Sequence, residues 1–347
     1  MELVGVAEIA EMLGVSKQVV SNWRGRKGGF PAPTATLKAG PVWTREAVID
    51  WAMSQDIAVR QEAVVPSAPA EDRHPAAIAA LMNMKGGVGK STLTANIGWH
   101  ASYNRGLRVL LVDLDPQFNL SQYILGVEGY EKLIADDDPT IEMLFRHEPG
   151  DGPVDIRGLI HEVHNWNDQS CLHLVPASLD LAWSMRLALE RAHVLRDALE
   201  EVRDSYDLII IDCAPTESIL STATYFAADW ILVPVKPEFL SAIGLPLLLK
   251  SIVEFENTHR NETPPQIAGI VFNDVSDRVE HGRSRRFVRD TAGRNAIPVL
   301  QNEINHSDSY PAGARQGKPI FLTDNARSSR KEELERVGDE FLGSIGL

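Results

Sequence analysis

Residues 85–92 read Lys85-Gly86-Gly87-Val88-Gly89-Lys90-Ser91-Thr92. An apolar run (78–83) comes directly before them and a helical pattern (91–103) directly after. Three glycines let a backbone wrap closely around phosphates, with N–H groups pointing inward at the positive end of a following helix. Lys90 is placed to reach β- and γ-phosphates, and the Ser91 hydroxyl to ligate Mg²⁺. Glycines, lysine and hydroxyl at these spacings, between a strand and a helix, define a phosphate-binding loop.

The surroundings extend the reading. From residue 77 onward short apolar runs alternate with longer helical patterns. Strands are expected at 78–83, 109–113, 172–176, 208–212, 231–235 and 267–273. Helices are expected at 91–103, 179–205, 240–259 and 329–342. The runs are mostly continuous rather than alternating, as for parallel strands buried on both faces. Strand–helix alternation predicts right-handed crossovers and an α/β, doubly wound, mostly parallel sheet. The stretch 125–170 is polar, includes Asp136-Asp137-Asp138, and yields no assignment.

Two acid-bearing strand ends should surround the loop. One is Val109-Leu110-Leu111-Val112-Asp113-Leu114-Asp115-Pro116-Gln117. The other is Leu208-Ile209-Ile210-Ile211-Asp212-Cys213. Acids at the C-terminal ends of such strands sit where open α/β sheets bind ligands. Asp212 has the form of an acid that holds a Mg²⁺-bound water, and Asp113 is either a second metal-supporting acid or an N-cap for the turn that follows.

Composition limits the alternatives. The chain has 347 residues, 44% hydrophobic and 24% charged, enough for two domains with a full core. Two cysteines without paired spacing, Cys171 and Cys213, argue for a reducing cytosol and against disulfide, zinc or Fe–S frameworks. No run long enough to cross a membrane occurs, and no signal peptide is expected. The net charge of −14 is unevenly spread: residues 1–53 hold six Lys/Arg against five Asp/Glu, a local balance of +1.

Lys85 makes the pattern specific. A lysine at the start of a Lys-Gly-Gly-Val-Gly-Lys-Ser/Thr loop resembles the deviant Walker A motif of the ParA/MinD superfamily, in its ParA-type DNA-partition branch. The resemblance runs from about residue 77 to the end. It also takes in Asp115-Pro116-Gln117, Ala228–Glu238 with Gly244-Leu245, Asn273 and Gly317-Lys318-Pro319-Ile320. One departure is Ala214-Pro215-Thr216-Glu217, where relatives carry Pro-Pro-Ser, which places an additional acid in this switch segment.

The resemblance implies a Mg-ATP-hydrolysing enzyme whose loop, Lys85 to Thr92, binds ATP. Lys85 would cross a nucleotide-sandwich homodimer to the partner's ATP, and Asp115 would position the attacking water. Ser91, Asp212 and Asp113 would serve the metal, and Asn273 would read the adenine. It further implies non-specific DNA binding by the ATP dimer through a basic surface, for which Arg278, Arg283, Arg285, Arg286, Arg289 and Arg294 are the candidates. A ParB-like centromere-binding partner would stimulate hydrolysis. A membrane-cycling relative is disfavoured, because Glu340–Leu347 carries almost no positive charge.

The N-terminal residues carry a separate pattern. A helical stretch at 6–13, then Gly14-Val15-Ser16, then a second helix at 17–24 has the form of a helix-turn-helix, with a possible wing turning near Ala39-Gly40. It resembles the small winged modules of excisionase and MerR-type regulators. Gln18, Ser21, Asn22 and Arg24 are expected at base edges, and Lys17, Arg26 and Lys27 at phosphates. The organisation expected is a helix-turn-helix domain (1–53), a linker (54–75) and an ATPase domain (76–347). A nucleotide-gated transcriptional regulator without a segregation role remains the alternative.

Overall fold

Five consecutive small or branched apolar residues form strand β4 (Ala77–Leu81), nearly all of it out of solvent. Such a strand has to be covered on both faces, and it lies in the interior of a seven-stranded sheet. The computed structural model describes residues 3–12, 17–25, 30–37, 40–44, 47–48, 51–52, 74–146, 154–167, 170–184, 189–238, 243–324 and 326–347. These fall into two compact units, a small N-terminal one and a large one.

In the large unit β4 lies between β8 (Leu208–Cys213) and β9 (Trp230–Val235). Beyond β8 come β5 (Arg108–Leu114), β7 (Ser170–Val175) and β6 (His161–Asn167); beyond β9 comes β10 (Gln266–Phe272). All pairings are parallel except β6 with β7, which is antiparallel. The six expected strands are present with bounds shifted by one or two residues. Strand β6 lies in the stretch that gave no reading. Its alternation of half-buried and exposed residues is that of an edge strand with one wet face.

The helix after the loop, α3 (Lys90–Trp99), is buried along most of its length and continues as a π-turn over His100–Asn104. Helix α4 (Asn119–Ala135) bends at Gly126, and α5 (Glu142–Arg146) is a short turn. The single helix expected over 179–205 is instead a chain of short pieces: α6 (Leu181–Ser184), a 3₁₀ turn (Leu189–His193), α7 (Val194–Glu200) and a second 3₁₀ turn (Arg203–Ser205). One unbroken helix there would run about 40 Å, twice the length of a six-residue strand. Short turns instead keep Ala192, Leu195, Leu199 and Val202 buried.

The remaining helices are α8 (Ile219–Ala227), α9 (Gly244–Thr258), α10 (Val279–Arg294), α11 (Ser309–Gln316) and α12 (Ser328–Ser344). The expected 240–259 helix corresponds to α9, and the expected 329–342 helix to α12. No described helix is long and apolar enough to cross a membrane.

The small unit holds β1 (Leu3–Val4), α1 (Val6–Met12), α2 (Lys17–Gly25) and an antiparallel hairpin of β2 (Ala35–Leu37) and β3 (Gly40–Thr44). Its core gathers Ile9, Val20, Trp43 and Val48, with Trp43 donating to the Pro31 carbonyl at 2.8 Å. The turn at 13–16, Arg26, Lys27 and nearly all of the expected linker lie outside the described residues.

At the N-terminal ends of the large sheet, opposite the phosphate-binding loop, charges are buried in pairs. Arg108, 2% exposed, donates from Nη2 and Nε to the two oxygens of Asp207, whose Oδ2 also accepts the Arg108 backbone N–H. Removing one member of such a pair leaves the other uncompensated. Asp207→Ala is expected to lower unfolding free energy by about 3 kcal/mol in urea titrations, with nucleotide affinity unchanged per folded molecule.

Candidate functional site

The loop between β4 and α3 is shaped by conformations that only glycine takes without strain. Gly87 has φ 77° and Gly89 φ 90°. At Gly89 a side chain would also have no room, since a Cβ would fall 2.1 Å from Nδ2 of Asn273. That amide donates to the Val88 carbonyl at 2.8 Å, so the end of β10 holds the loop from the far side of β9. The start of the loop is fixed by Asn83, 1% exposed. Its amide donates to the Pro234 carbonyl (2.7 Å) and its Oδ1 accepts the Lys85 N–H (3.0 Å). Asn83 went unrecognised in the sequence, where it reads as the last residue of an apolar run; a polar residue ending a buried strand was the available signal.

The two loop lysines are treated differently. Lys90 is 6% exposed and lies within electrostatic reach of Asp212. Lys85 is exposed and makes no ion pair among the described residues.

Asp113 and Asp212 are register partners on the adjacent strands β5 and β8. Both are fully buried. Burial, and then the neighbouring Asp113, push the Asp212 carboxyl well above the usual carboxylate range; Ser91 and Lys90 pull it back. Burial also raises Asp113, against hydrogen bonds from Ser121 and the Asp115 backbone. The two differ in what satisfies them. Asp113 accepts from the Ser121 hydroxyl (2.6 Å), the Ser121 N–H (2.8 Å) and the Asp115 N–H (3.1 Å). It therefore ties the start of α4 to the strand end, the capping reading weighed above. Among the described residues no donor meets either oxygen of Asp212 in good hydrogen-bond geometry, and Ser91 and Lys90 are the groups that act on it.

Asp115 follows at the strand mouth, 6% exposed, accepting the Gln117 N–H at 3.0 Å. Its carbonyl accepts the Phe118 N–H at 2.7 Å. Phe118 is held at φ 45°, a conformation uncommon for non-glycine residues that concentrates at functional sites. It stacks on Tyr130 with ring centres 5.0 Å apart.

A protein-family profile described as an AAA domain matches residues 76–263. The sporulation initiation inhibitor protein Soj of Bacillus subtilis is 31% identical over 261 residues, 71% of this chain and 91% of that protein. The virulence plasmid ParA family protein pGP5-D of Chlamydia psittaci is 35% identical over 263 residues, 70% and 90% of the two chains. Cobyrinic acid a,c-diamide synthase from Mycobacterium smegmatis, solved with an ATP analogue and magnesium, superposes with a TM-score of 0.55 at 28% identity, covering 70% of this chain and 92% of that one. The chain belongs to the ParA/Soj family of P-loop ATPases. It binds ATP and Mg²⁺ and hydrolyses ATP.

In this ParA/Soj-family chain the residues present fit the metal and nucleotide. A buried carboxylate with two orphaned oxygens beside a loop serine is the donor set of a cation held by one or two protein groups plus phosphate oxygens. The additional acid Glu217, expected near the phosphates, is bonded elsewhere: its Oε2 accepts from the Ser251 hydroxyl of α9 at 2.5 Å.

The basic candidates are divided. On α10, Arg283, Arg286 and Arg289 are exposed, Arg289 also lying over the Phe272 ring at 5.1 Å, whereas the half-buried Arg285 pairs with Glu303 at 2.7 Å. On α2, Lys17, Ser21, Asn22 and Arg24 are exposed, with Arg24 5.2 Å above the Trp43 ring.

Two outcomes follow for the loop and the acids. Gly89→Ala forces both a strained φ and a clash with Asn273, so affinity for a fluorescent ATP analogue should fall at least about tenfold. For Asp212 and Asp113 the folded-state pKa is raised. The stability they lend is therefore present at acid pH and declines as pH rises from about 4 toward neutrality. Asp212→Asn is accordingly expected to stabilise the ligand-free protein at pH 7.5 by about 1–3 kcal/mol. That gain should shrink toward pH 5 in thermal melts, and the stabilisation normally added by Mg-ATP should be lost.

Proposed function

We propose that this chain is an ATP-switched DNA-partition protein that also reads DNA through its N-terminal unit. The observation that carries the reading is the division of labour between the two loop lysines. Lys90 is buried beside the orphaned acid, where it would hold the β- and γ-phosphates. Lys85 is exposed, with its backbone pinned by Asn83, and makes no ion pair among the described residues. A cation so presented is suited to a second subunit's nucleotide, as an arginine finger would be.

In this reading the N–H groups of Gly86, Gly87, Val88, Gly89, Lys90, Ser91 and Thr92 cradle the triphosphate, and Ser91 and Asp212 hold the metal. Bound Mg²⁺ neutralises charge on the phosphate oxygens. Asp113 braces the turn that aims Asp115, and Asp115 orients the attacking water. Asn273 presents its remaining N–H and its oxygen to the adenine while its other N–H stays on Val88. The relatives named Soj and ParA support the partition role.

DNA engagement would have two parts. Non-specific binding by the ATP dimer would use the exposed Arg283 and Arg286, with Arg285 and Arg289 partly engaged within the fold. Such contacts are made to phosphates and weaken steeply with salt. Operator reading, and with it control of the chain's own operon, would fall to the exposed face of α2, where Lys17, Ser21 and Arg24 share one side at four- and three-residue spacing. A ParB-like partner would stimulate hydrolysis and release. The protein would act in the cytoplasm, on the nucleoid.

The test is DNA binding across nucleotide states with wild type and Lys85→Ala, on operator-containing and random DNA. Random-DNA binding should require ATP and disappear in Lys85→Ala, while operator binding survives without nucleotide. Random DNA never bound, with ATP altering only operator affinity, would instead establish a nucleotide-gated regulator.

A further inference from the structure

Helix α9 touches both nucleotide-facing loops. At its N-terminus Gly244 approaches the phosphate-binding loop so closely that a Cβ would lie 2.0 Å from Asn83 Oδ1 and 3.2 Å from Lys85 Cβ. Two turns later its buried Ser251 meets the loop that leaves Asp212. That loop is short, Ala214 to Glu217, and its far end is fixed because Ser218 begins α8 with a reciprocal capping box to Ser221.

Between these ends Glu217 is the only side chain of the loop bonded to α9 among the described residues. Ser251 donates to its carboxylate at 2.5 Å, so the 2.8 Å contact between Ser251 and Tyr225 has Tyr225 as donor. The result is a directed chain from the buried Tyr225 of α8 through Ser251 of α9 to Glu217. Such chains strengthen when they end on a charge. A groove of about 760 Å³ runs alongside, lined by Met84 and Pro215, one from each loop, and by Glu217, Leu247, Ser251 and Glu254.

We propose that Glu217 is a positioning residue: through Ser251 and Tyr225 it locks the loop leaving Asp212 to α9, so that nucleotide and metal arriving at Asp212 are reported to that helix. The same lock holds the Asp212 backbone in place for hydrolysis. This rests on the nucleotide reading given above.

The experiment is hydrogen–deuterium exchange of the full chain with and without Mg²⁺ and a non-hydrolysable ATP analogue, alongside the Mg²⁺ dependence of hydrolysis. In wild type, nucleotide should slow exchange in both 86–92 and 247–255, by about tenfold in the latter. In Glu217→Ala and Ser251→Ala the protection of 86–92 should persist while that of 247–255 is lost, and half-maximal hydrolysis should need about five- to tenfold more Mg²⁺. Glu217→Gln, which keeps an acceptor for Ser251 and does not depend on the tolerance of a cavity, should restore most of the response. The double alanine variant should be no worse than the worse single one, as for members of one network. Equal protection of 247–255 in all variants, or additive effects of the two alanines, overturns the proposal. Absent protection of 86–92 in wild type overturns the nucleotide reading itself, a result the variants do not mimic.

Discussion

A buried carboxylate that no donor meets in good geometry among the described residues, at the end of a fully buried strand, is the constraint around which the large unit is arranged. Burying such a group costs several kcal/mol unless a cation or donor meets it. Around Asp212 only Ser91 and Lys90 offset that cost, and its neighbour Asp113 adds to it. The fold tolerates this because everything around it is unusually well braced. Asp113 is saturated by Ser121 and Asp115, the strands on either side are parallel and apolar, and the opposite edge of the sheet is bolted by Arg108 with Asp207 and by Arg203 with Asp229. Strain is collected at one rim and stability at the other, an arrangement that keeps a cation-hungry site open without loosening the sheet.

That rim is governed from a distance. Asn83 joins the loop's first residues to β9, Asn273 joins its middle to β10, and Ser251 joins the loop after Asp212 to α9. Each contact is a side-chain amide or hydroxyl acting on backbone or carboxylate. Tying the loops to three neighbouring elements narrows their conformations, which reduces the ordering that binding has to impose.

Much of this was legible in the sequence, for physical reasons that differ by element. The loop was readable because its chemistry demands fixed residue types at fixed spacing. The parallel strands were readable because burial on both faces leaves few polar positions inside them. Asp212 announced itself as an acid where only apolar residues belong. What escaped detection depended on tertiary contacts. The antiparallel β6 has a half-wet pattern too weak to stand out, and the residues from 179 to 205 have helical periodicity that the length of the sheet breaks into turns. Glu217 shows the same limit more sharply: in sequence it follows closely on Asp212, yet it faces a serine on a helix that begins 27 residues later. Nothing local encodes that choice. Nor could spacing reveal that Asn273 would press on Gly89, or that two of the α10 arginines would be engaged within the fold.

The interior position of β4 has a consequence for the order in which the protein becomes competent during synthesis. Its strand neighbours, β8 and β9, are both made much later, and the amide that seats the loop lies 185 residues downstream of the carbonyl it grips. A ribosome adding about 5–20 residues per second needs on the order of ten seconds to cover that distance. Through that interval the loop sequence exists without its seat, and nucleotide has no formed site on which to nucleate folding. The growing chain must first gather the acids, the neighbouring strands and the distant amide, so the complete site forms only after Asn273 has been made.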